Sequence, residues 1–186
     1  MLPALIGILA AGFAGCAPVD SVDSENTPAR TENAGRVERK IAIANLSPTQ
    51  GNEATGTVTF VQETTGVRVI ADLRNIGSGS HGFHIHENGD CSAPDASSAG
   101  GHFNPTGAPH GGPEDDRHHV GDMGNIEATE SGGAMLERVF ESLSLEGENS
   151  IVGKAVIVHA GKDDLESQPS GDAGARIACG VIRMSE

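Results

Sequence analysis

Seven of the chain's eight histidines fall between His81 and Asp122, in HGFHIHENGDCSAPDASSAGGHFNPTGAPHGGPEDDRHHVGD, and the eighth, His159, follows a later apolar run. With no Trp, no Tyr and only five Phe in the chain, imidazoles this dense are not explained by aromatic core packing. Imidazole nitrogen suits copper, zinc, iron and nickel, so the first expectation is a transition-metal site. In Phe83-His84-Ile85-His86 an extended backbone sends Phe83 and Ile85 to one face and His84 and His86 to the other. The apolar pair is expected in the core, with both imidazoles side by side on the outer surface. Downstream, His102 in GGHFNP, His110 in PHGGP, and His119 with Asp122 in HVGD offer three imidazoles and a carboxylate in a Gly/Pro-rich loop. Such a set can close a tetrahedral zinc site, whereas tetragonal nitrogen ligation suits Cu(II). His159, ending Ala155-Val156-Ile157-Val158, offers a further nitrogen to the His84/His86 pair. Two metals would then need these seven ligands with one shared. Of the adjacent pair, the HVGD spacing favours His119 as ligand and leaves His118 solvated, while His81 reads as a structural hydrogen-bond donor rather than a ligand.

These residues need a scaffold that returns His159 to the earlier segment. Short β-rich runs with partial alternation occupy residues 40–44, 56–61, 67–73, 82–87, 124–129, 134–140, 151–158 and 175–184, separated by Gly, Asn, Pro and Thr clusters. The chain's 26 Gly and nine Pro supply the turns, and its core must be built from Val, Ile, Leu and Ala. Around eight strands with such punctuation predict an all-β sandwich or flattened barrel. Two gaps, 88–118 and 160–174, are too long for hairpins, and loops of that size are uncommon unless they serve a function. Both border the histidines.

The net charge of −14 argues against a nucleic-acid partner, which would require a basic face, and against attraction to anionic lipid. An anionic substrate would be repelled by the bulk charge and would need a local basic residue to focus the field. Residues 1–16, MLPALIGILAAGFAGC, are too short for a spanning helix, which takes roughly 20 apolar residues, but have the length and small-residue ending of a signal peptide. The ending Phe13-Ala14-Gly15-Cys16 resembles a bacterial lipobox, implying a leader over 1–15 and lipid on Cys16. Phe13 stands where Leu is usual in that pattern, and no Lys or Arg precedes the apolar run. Residues 16–36 are acidic and poor in large apolar side chains, the composition of a flexible tether, which leaves 37–186 as the folded domain. The expectation is an exported protein of the periplasm or cell surface, joined to a membrane through its N-terminal lipid. A homodimer is left open, because no exposed apolar stripe is legible among such short strands.

In order along the chain, HGFHIHENGDC, AGGHFNP, PHGGP, HVGDMGN, VIVHAGKDDL and GARIACGVI resemble the copper–zinc superoxide dismutase family over about residues 37–184. The resemblance implies a Greek-key, eight-stranded flattened β-barrel, an immunoglobulin-like sandwich with two long functional loops. It implies copper at His84, His86, His102 and His159, and zinc at His102, His110, His119 and Asp122, with His102 as the shared ring. It also implies that Asp163, rather than the neighbouring Asp164, hydrogen-bonds ligands of both metals. Arg176 would sit beside the open copper position and guide the anion, and Cys91 and Cys179 would form a disulfide, leaving Cys16 for lipid. The implied reaction is dismutation of superoxide to oxygen and hydrogen peroxide, copper carrying the electron and His102 the proton, in protection of the cell envelope.

Rival classes fit the residues less well. A non-catalytic copper- or zinc-binding envelope protein has no need of a bridging histidine, an open position or an arginine. A zinc hydrolase wants an open metal position beside a carboxylate base, and a blue-copper carrier wants a cysteine ligand.

Overall fold

The computed structural model describes residues 39–186. The expected leader over 1–15, the lipidation of Cys16 and the tether over 16–36 lie outside the described residues. The described part is all-β: β1 (Ile41–Pro48), β2 (Thr55–Glu63), β3 (Gly66–Arg74), β4 (Gly79–His86), β5 (Asp122–Ala128), β6 (Ala134–Phe140), β7 (Ala155–His159), β8 (Arg176–Val181) and β9 (Arg183–Met184). A three-residue 3₁₀ turn, Ser97–Ala99, is the only helical element among the described residues, and none of their helices is long and apolar enough to cross a membrane. The strands run β2-β3-β6-β5-β4-β7-β8-β1-β9, and an additional β1–β2 pairing closes eight of them into an antiparallel barrel with β9 as an extra strand on β1. Strand β7 returns past β5 and β6 to lie beside β4, which is a Greek-key path. The two long loops join neighbouring strands, β4 to β5 and β7 to β8, and they leave from β4 and β7, the adjacent strands that carry histidine at their ends.

Alternation explains most of the barrel wall. On β3, Val67, Val69, Ala71 and Leu73 are buried, while Arg68, Ile70, Asp72 and Arg74 face outward. Val58 and Phe60 of β2 and Ala42, Ala44 and Leu46 of β1 fill the same interior. Strands β4 and β7 depart from this pattern. Phe83 and Ile85 enter the core as expected, but His84 and His86 are only 0% and 1% exposed, and all five residues of β7 are buried. The expectation that the two imidazoles stand on the outer surface is therefore corrected: the outer face of β4 is roofed by the two long loops.

Both loops are fastened to the barrel. The first is joined back to β4 through Glu87 N–H to Gly101 O (2.9 Å) and Asn88 N–H to Ala99 O (3.0 Å). Its Ala96 and Ala99 pack on Ala155, Ile157 and Cys179, a second small core beneath the loop. The Cys91–Cys179 disulfide, with Cα atoms 5.8 Å apart, ties this loop to β8 across 88 residues of sequence. At the base of the second loop, Ala160 and Gly161 donate to the carbonyls of Ala175 and Ala173, and Gly82 of β4 donates to Gly161 O at 2.8 Å. A Cβ on Gly82 would stand 2.7 Å from that of Ala173, so glycine here is what lets the second loop lie on β4.

Several predicted runs have different limits, among them 82–87, whose strand starts at Gly79 and ends at His86. The run over 40–44 extends to Pro48, because Ser47 and Pro48 leave β2 and pair with β8. The run expected over 151–158 becomes a strand only from Ala155, since Lys154 N–H closes a turn on Ile151 O. The run over 175–184 breaks at Ile182, which is fully buried and bonds to Lys154, leaving β9 to pair with β1.

Candidate metal centre

Strand register brings the histidines together. His84 on β4 lies opposite Asp122 on β5 and Ile157 on β7, and His159 ends β7 opposite Arg176 of β8. An isolated antiparallel bridge sets His102 of the first loop beside His86. Two buried groups result, sharing one residue: His84, His86, His102 and His159, and His102, His110, His119 and Asp122. Within each group, one ligand atom per residue lies within 4.8 Å of all the others. The His102 ring centroid is 4.1 Å from that of His84, 5.0 Å from His86, 5.2 Å from His110 and 5.5 Å from His119, so this ring stands between the sets.

The hydrogen bonds orient the rings. His84 Nε2 faces Asp163 Oδ2 at 2.7 Å, His86 Nδ1 donates to Gly100 O at 2.9 Å, and His159 Nδ1 donates to Gly174 O at 3.0 Å. With those nitrogens protonated, the opposite nitrogens (His84 Nδ1, His86 Nε2 and His159 Nε2) carry lone pairs; they are buried and unpartnered, as is His102 Nε2. Each such orphan costs about 1–3 kcal/mol, and four converging orphans are satisfied together by one cation of nitrogen preference. In the second group, Nδ1 of His102, His110 and His119 lie 2.7, 3.1 and 3.3 Å from the same Asp122 Oδ1. Asp122 Oδ2 is fixed by the backbone N–H of His119 (2.8 Å) and Gly111 (3.2 Å). Three imidazoles and one carboxylate are a closed tetrahedral donor set, which fits zinc.

Electrostatics divide the two sets. Burial pushes His84 down to about 4 and His159 down to about 3, and holds His86 well below its usual value. These rings are neutral at neutral pH, the state in which imidazole binds metal. Burial lowers His119 as well. For His110 the lowering by burial is outweighed by hydrogen bonds to Asp122 and Asp163, which raise it to about 9. Burial alone would raise Asp122 and Asp163, but their histidine partners hold both carboxylates far below the usual range.

Around the two groups, Asp163 reaches one member of each: Oδ2 to His84 and Oδ1 to His110 Nε2 at 3.0 Å. Asp164 instead is exposed and accepts from the N–H groups of Glu166 and Ser167. Arg176 is half-buried, its guanidinium donating to Ala96 O and Gly100 O at 2.6 Å each. Gly100 O thus holds both the arginine and His86. A cavity of ≈ 580 Å³ opens on this side, lined by His86, His102, His159, Pro169, Ser170 and Arg176. His81 is buried and donates from Nδ1 to His159 O at 2.9 Å, outside both groups. His118 bonds the carbonyl of His119 at 2.7 Å and also belongs to neither.

Sequence reading missed two supporting side chains. Asn125 pairs both backbone groups of Asp163, at 2.9 and 2.8 Å, and Gln168 pairs both backbone groups of His110, at 2.8 and 2.9 Å. Both act on backbone groups of residues distant in sequence, and no local pattern marks them.

Residues 54–182, more than half of the chain, match the family model described as copper/zinc superoxide dismutase. Among solved structures, one described as a crystal structure analysis of the clock protein EA4 is similar at a TM-score of 0.71 and 38% sequence identity, covering 80% of this chain and 97% of that one.

Proposed function

The chain belongs to the copper/zinc superoxide dismutase family, and from that premise we propose a role for each residue of the centre and a place of work for the enzyme. Family membership makes it an oxidoreductase that uses copper and zinc to convert two superoxide ions and two protons into oxygen and hydrogen peroxide. His84, His86, His102 and His159 hold the copper, and His102, His110, His119 and Asp122 hold the zinc. Bound copper supplies the one-electron oxidation and reduction, while zinc is redox-inert. The observation that carries this assignment is the set of four buried lone-pair nitrogens aimed at one another while their rings are held from behind.

The chain's own residues do the rest. His102 Nδ1 is engaged on the Asp122 side, so Nε2 is the atom that can take up a proton toward the cavity and release it to the reduced product. Arg176 keeps its charge and, fixed by two carbonyls, presents it to an anion entering the cavity without rearrangement. Neutral His84, His86 and His159 provide the binding set, with Asp163 and the carbonyls of Gly100 and Gly174 setting their tautomers. A metal buffer has no use for an anion clamp beside an open cavity, which favours the enzyme over a storage protein.

The lipobox-like ending at Cys16 and the acidic stretch after it support work at the cell envelope on superoxide outside the cytoplasm. Superoxide consumption by the protein loaded with copper and zinc, compared with zinc alone, tests the site. Activity that needs copper is expected; equal activity with zinc alone would overturn the assignment. Cys16→Ala should shift the protein from the membrane fraction to the soluble fraction of the envelope, and an unchanged distribution would remove the anchor.

A further inference from the structure

The second long loop holds His110 at two points, and only one of them is the carboxylate of Asp163. Residues 108–112 belong to no strand, yet His110 is 4% exposed, so its buried backbone groups need partners that no ladder supplies. Gln168 supplies both. Its Oε1 accepts from His110 N–H at 2.8 Å and its Nε2 donates to His110 O at 2.9 Å, as a neighbouring strand residue would. Among side chains, only a primary amide carries a carbonyl acceptor and N–H donors together in this way. The second Nε2 hydrogen goes to Glu166 O at 3.1 Å, which fixes the amide within its own loop.

The rest of the loop is built on the same grip. Gly171 N–H donates to Ser167 O at 2.7 Å and Asp164 N–H donates to Gly171 O at 2.9 Å. Gly171, at φ +69°, lies over the Asp163–His110 contact so closely that a Cβ would stand 1.7 Å from Asp163 Oδ1 and 2.6 Å from His110 Nε2. Residues 163–171 are therefore one hydrogen-bonded unit around His110, and the two residues after Gln168, Pro169 and Ser170, form part of the cavity wall.

From this geometry we infer that Gln168 is a positioning residue for the zinc group. It clips the His110 backbone to the second loop, and so couples zinc binding to the ordering of the cavity wall at Pro169 and Ser170. The inference rests on the zinc assignment above, and its consequence is reciprocal. Zinc at His110 favours the ordered wall, and the ordered wall raises zinc affinity by the same factor; loss of the clip weakens that coupling.

Zinc affinity of the metal-free full chain, measured by competition with a chelator, tests this together with amide hydrogen exchange at His110 and over residues 163–171. Gln168→Met keeps the length and removes both bonds. It should weaken zinc roughly 10- to 100-fold, the usual range for partners that orient a ligand, and speed exchange at His110 and Gly171, whose N–H groups bond to Gln168 Oε1 and Ser167 O. Copper affinity and the Cys91–Cys179 bond should be retained. Gln168→Glu should also weaken zinc, because a carboxylate accepts from the N–H but repels the carbonyl. Glu166→Ala, which alters an exposed side chain next to the clip, should behave as the parent. Zinc affinity and exchange in Gln168→Met equal to the parent would overturn the clip while leaving the zinc site standing. A parent that takes up no zinc would refute the zinc assignment itself. Should Gln168→Met fail to fold, the parent alone decides: added zinc must slow exchange at His110 and over 163–171, and unchanged exchange overturns the coupling.

Discussion

Removing the metals should leave a protein whose stability peaks near pH 6.5 and falls on both sides, for reasons that can be assigned to individual rings. His84 and His159 are pushed by burial from 6.5 to about 4 and about 3. On the acid side of 6.5 the unfolded chain binds these protons while the folded chain resists them, so stability is lost as pH falls. Each group costs about 1.4 kcal/mol per pH unit, so by pH 5 the pair removes about 4 kcal/mol, against a total of about 5–15 kcal/mol for an ordinary domain. His86 and His119, also lowered, act in the same direction. On the alkaline side His110 dominates. Raised to about 9 by Asp122 and Asp163, it contributes fully below 6.5, and that contribution is lost as pH rises through 9, again at about 1.4 kcal/mol per unit. Asp122 and Asp163, held low, begin to lose their contribution only below 3.8. Urea unfolding of the chelated protein at half-unit steps from pH 5 to 9 measures the curve. A profile that is flat or still rising from pH 6.5 down to 5 would refute the claim that the copper-side rings are buried neutral.

Arg176→Ala should lower the rate by roughly tenfold or more and flatten its dependence on ionic strength while copper content stays constant, since a focused charge in a repelling field acts on encounter; stopped-flow rates at several salt concentrations check it. Arg176→Lys should recover only part of the loss, because one ammonium cannot reproduce the guanidinium fork on Ala96 O and Gly100 O. Reducing the Cys91–Cys179 bond should lower the unfolding free energy by up to about 4–5 kcal/mol in the chain-entropy view. It should also slow turnover, since the loop it ties carries both carbonyls that hold Arg176; calorimetry and rate on the same sample decide. Asp163→Asn should weaken both metals roughly 10- to 100-fold, as it partners His84 and His110 at once, and chelator competition for each metal would reveal an effect confined to one.

The barrel was legible because its strands obey period two: Val67, Val69, Ala71 and Leu73 are buried while Arg68, Ile70, Asp72 and Arg74 between them face outward, three of those four charged. The same rule misplaced His84 and His86. Alternation separates faces but does not tell whether a face meets water, and here segments 14 to 79 residues away in sequence form its roof, among them Gly100 and Asp163. The break at Ile182 was hidden for a related reason, since its cause is a bond to Lys154. His-x-His and HVGD mark donors at fixed local offsets, whereas the choice of His102 as the shared ring came from the family resemblance; the structure gathers the same seven residues. Gln168 and Asn125 were not legible: a Gln before a Pro or an Asn in a strand looks like any polar residue until its backbone partner arrives from another loop.

Anomalous scattering from crystals of the metal-loaded protein, collected at the copper and zinc edges, tests the shared-ring centre most directly. One copper peak should lie among His84 Nδ1, His86 Nε2, His102 Nε2 and His159 Nε2, and one zinc peak among His102 Nδ1, His110 Nδ1, His119 Nδ1 and Asp122. A copper peak away from the first four nitrogens, or a zinc peak that does not touch His102, would contradict it.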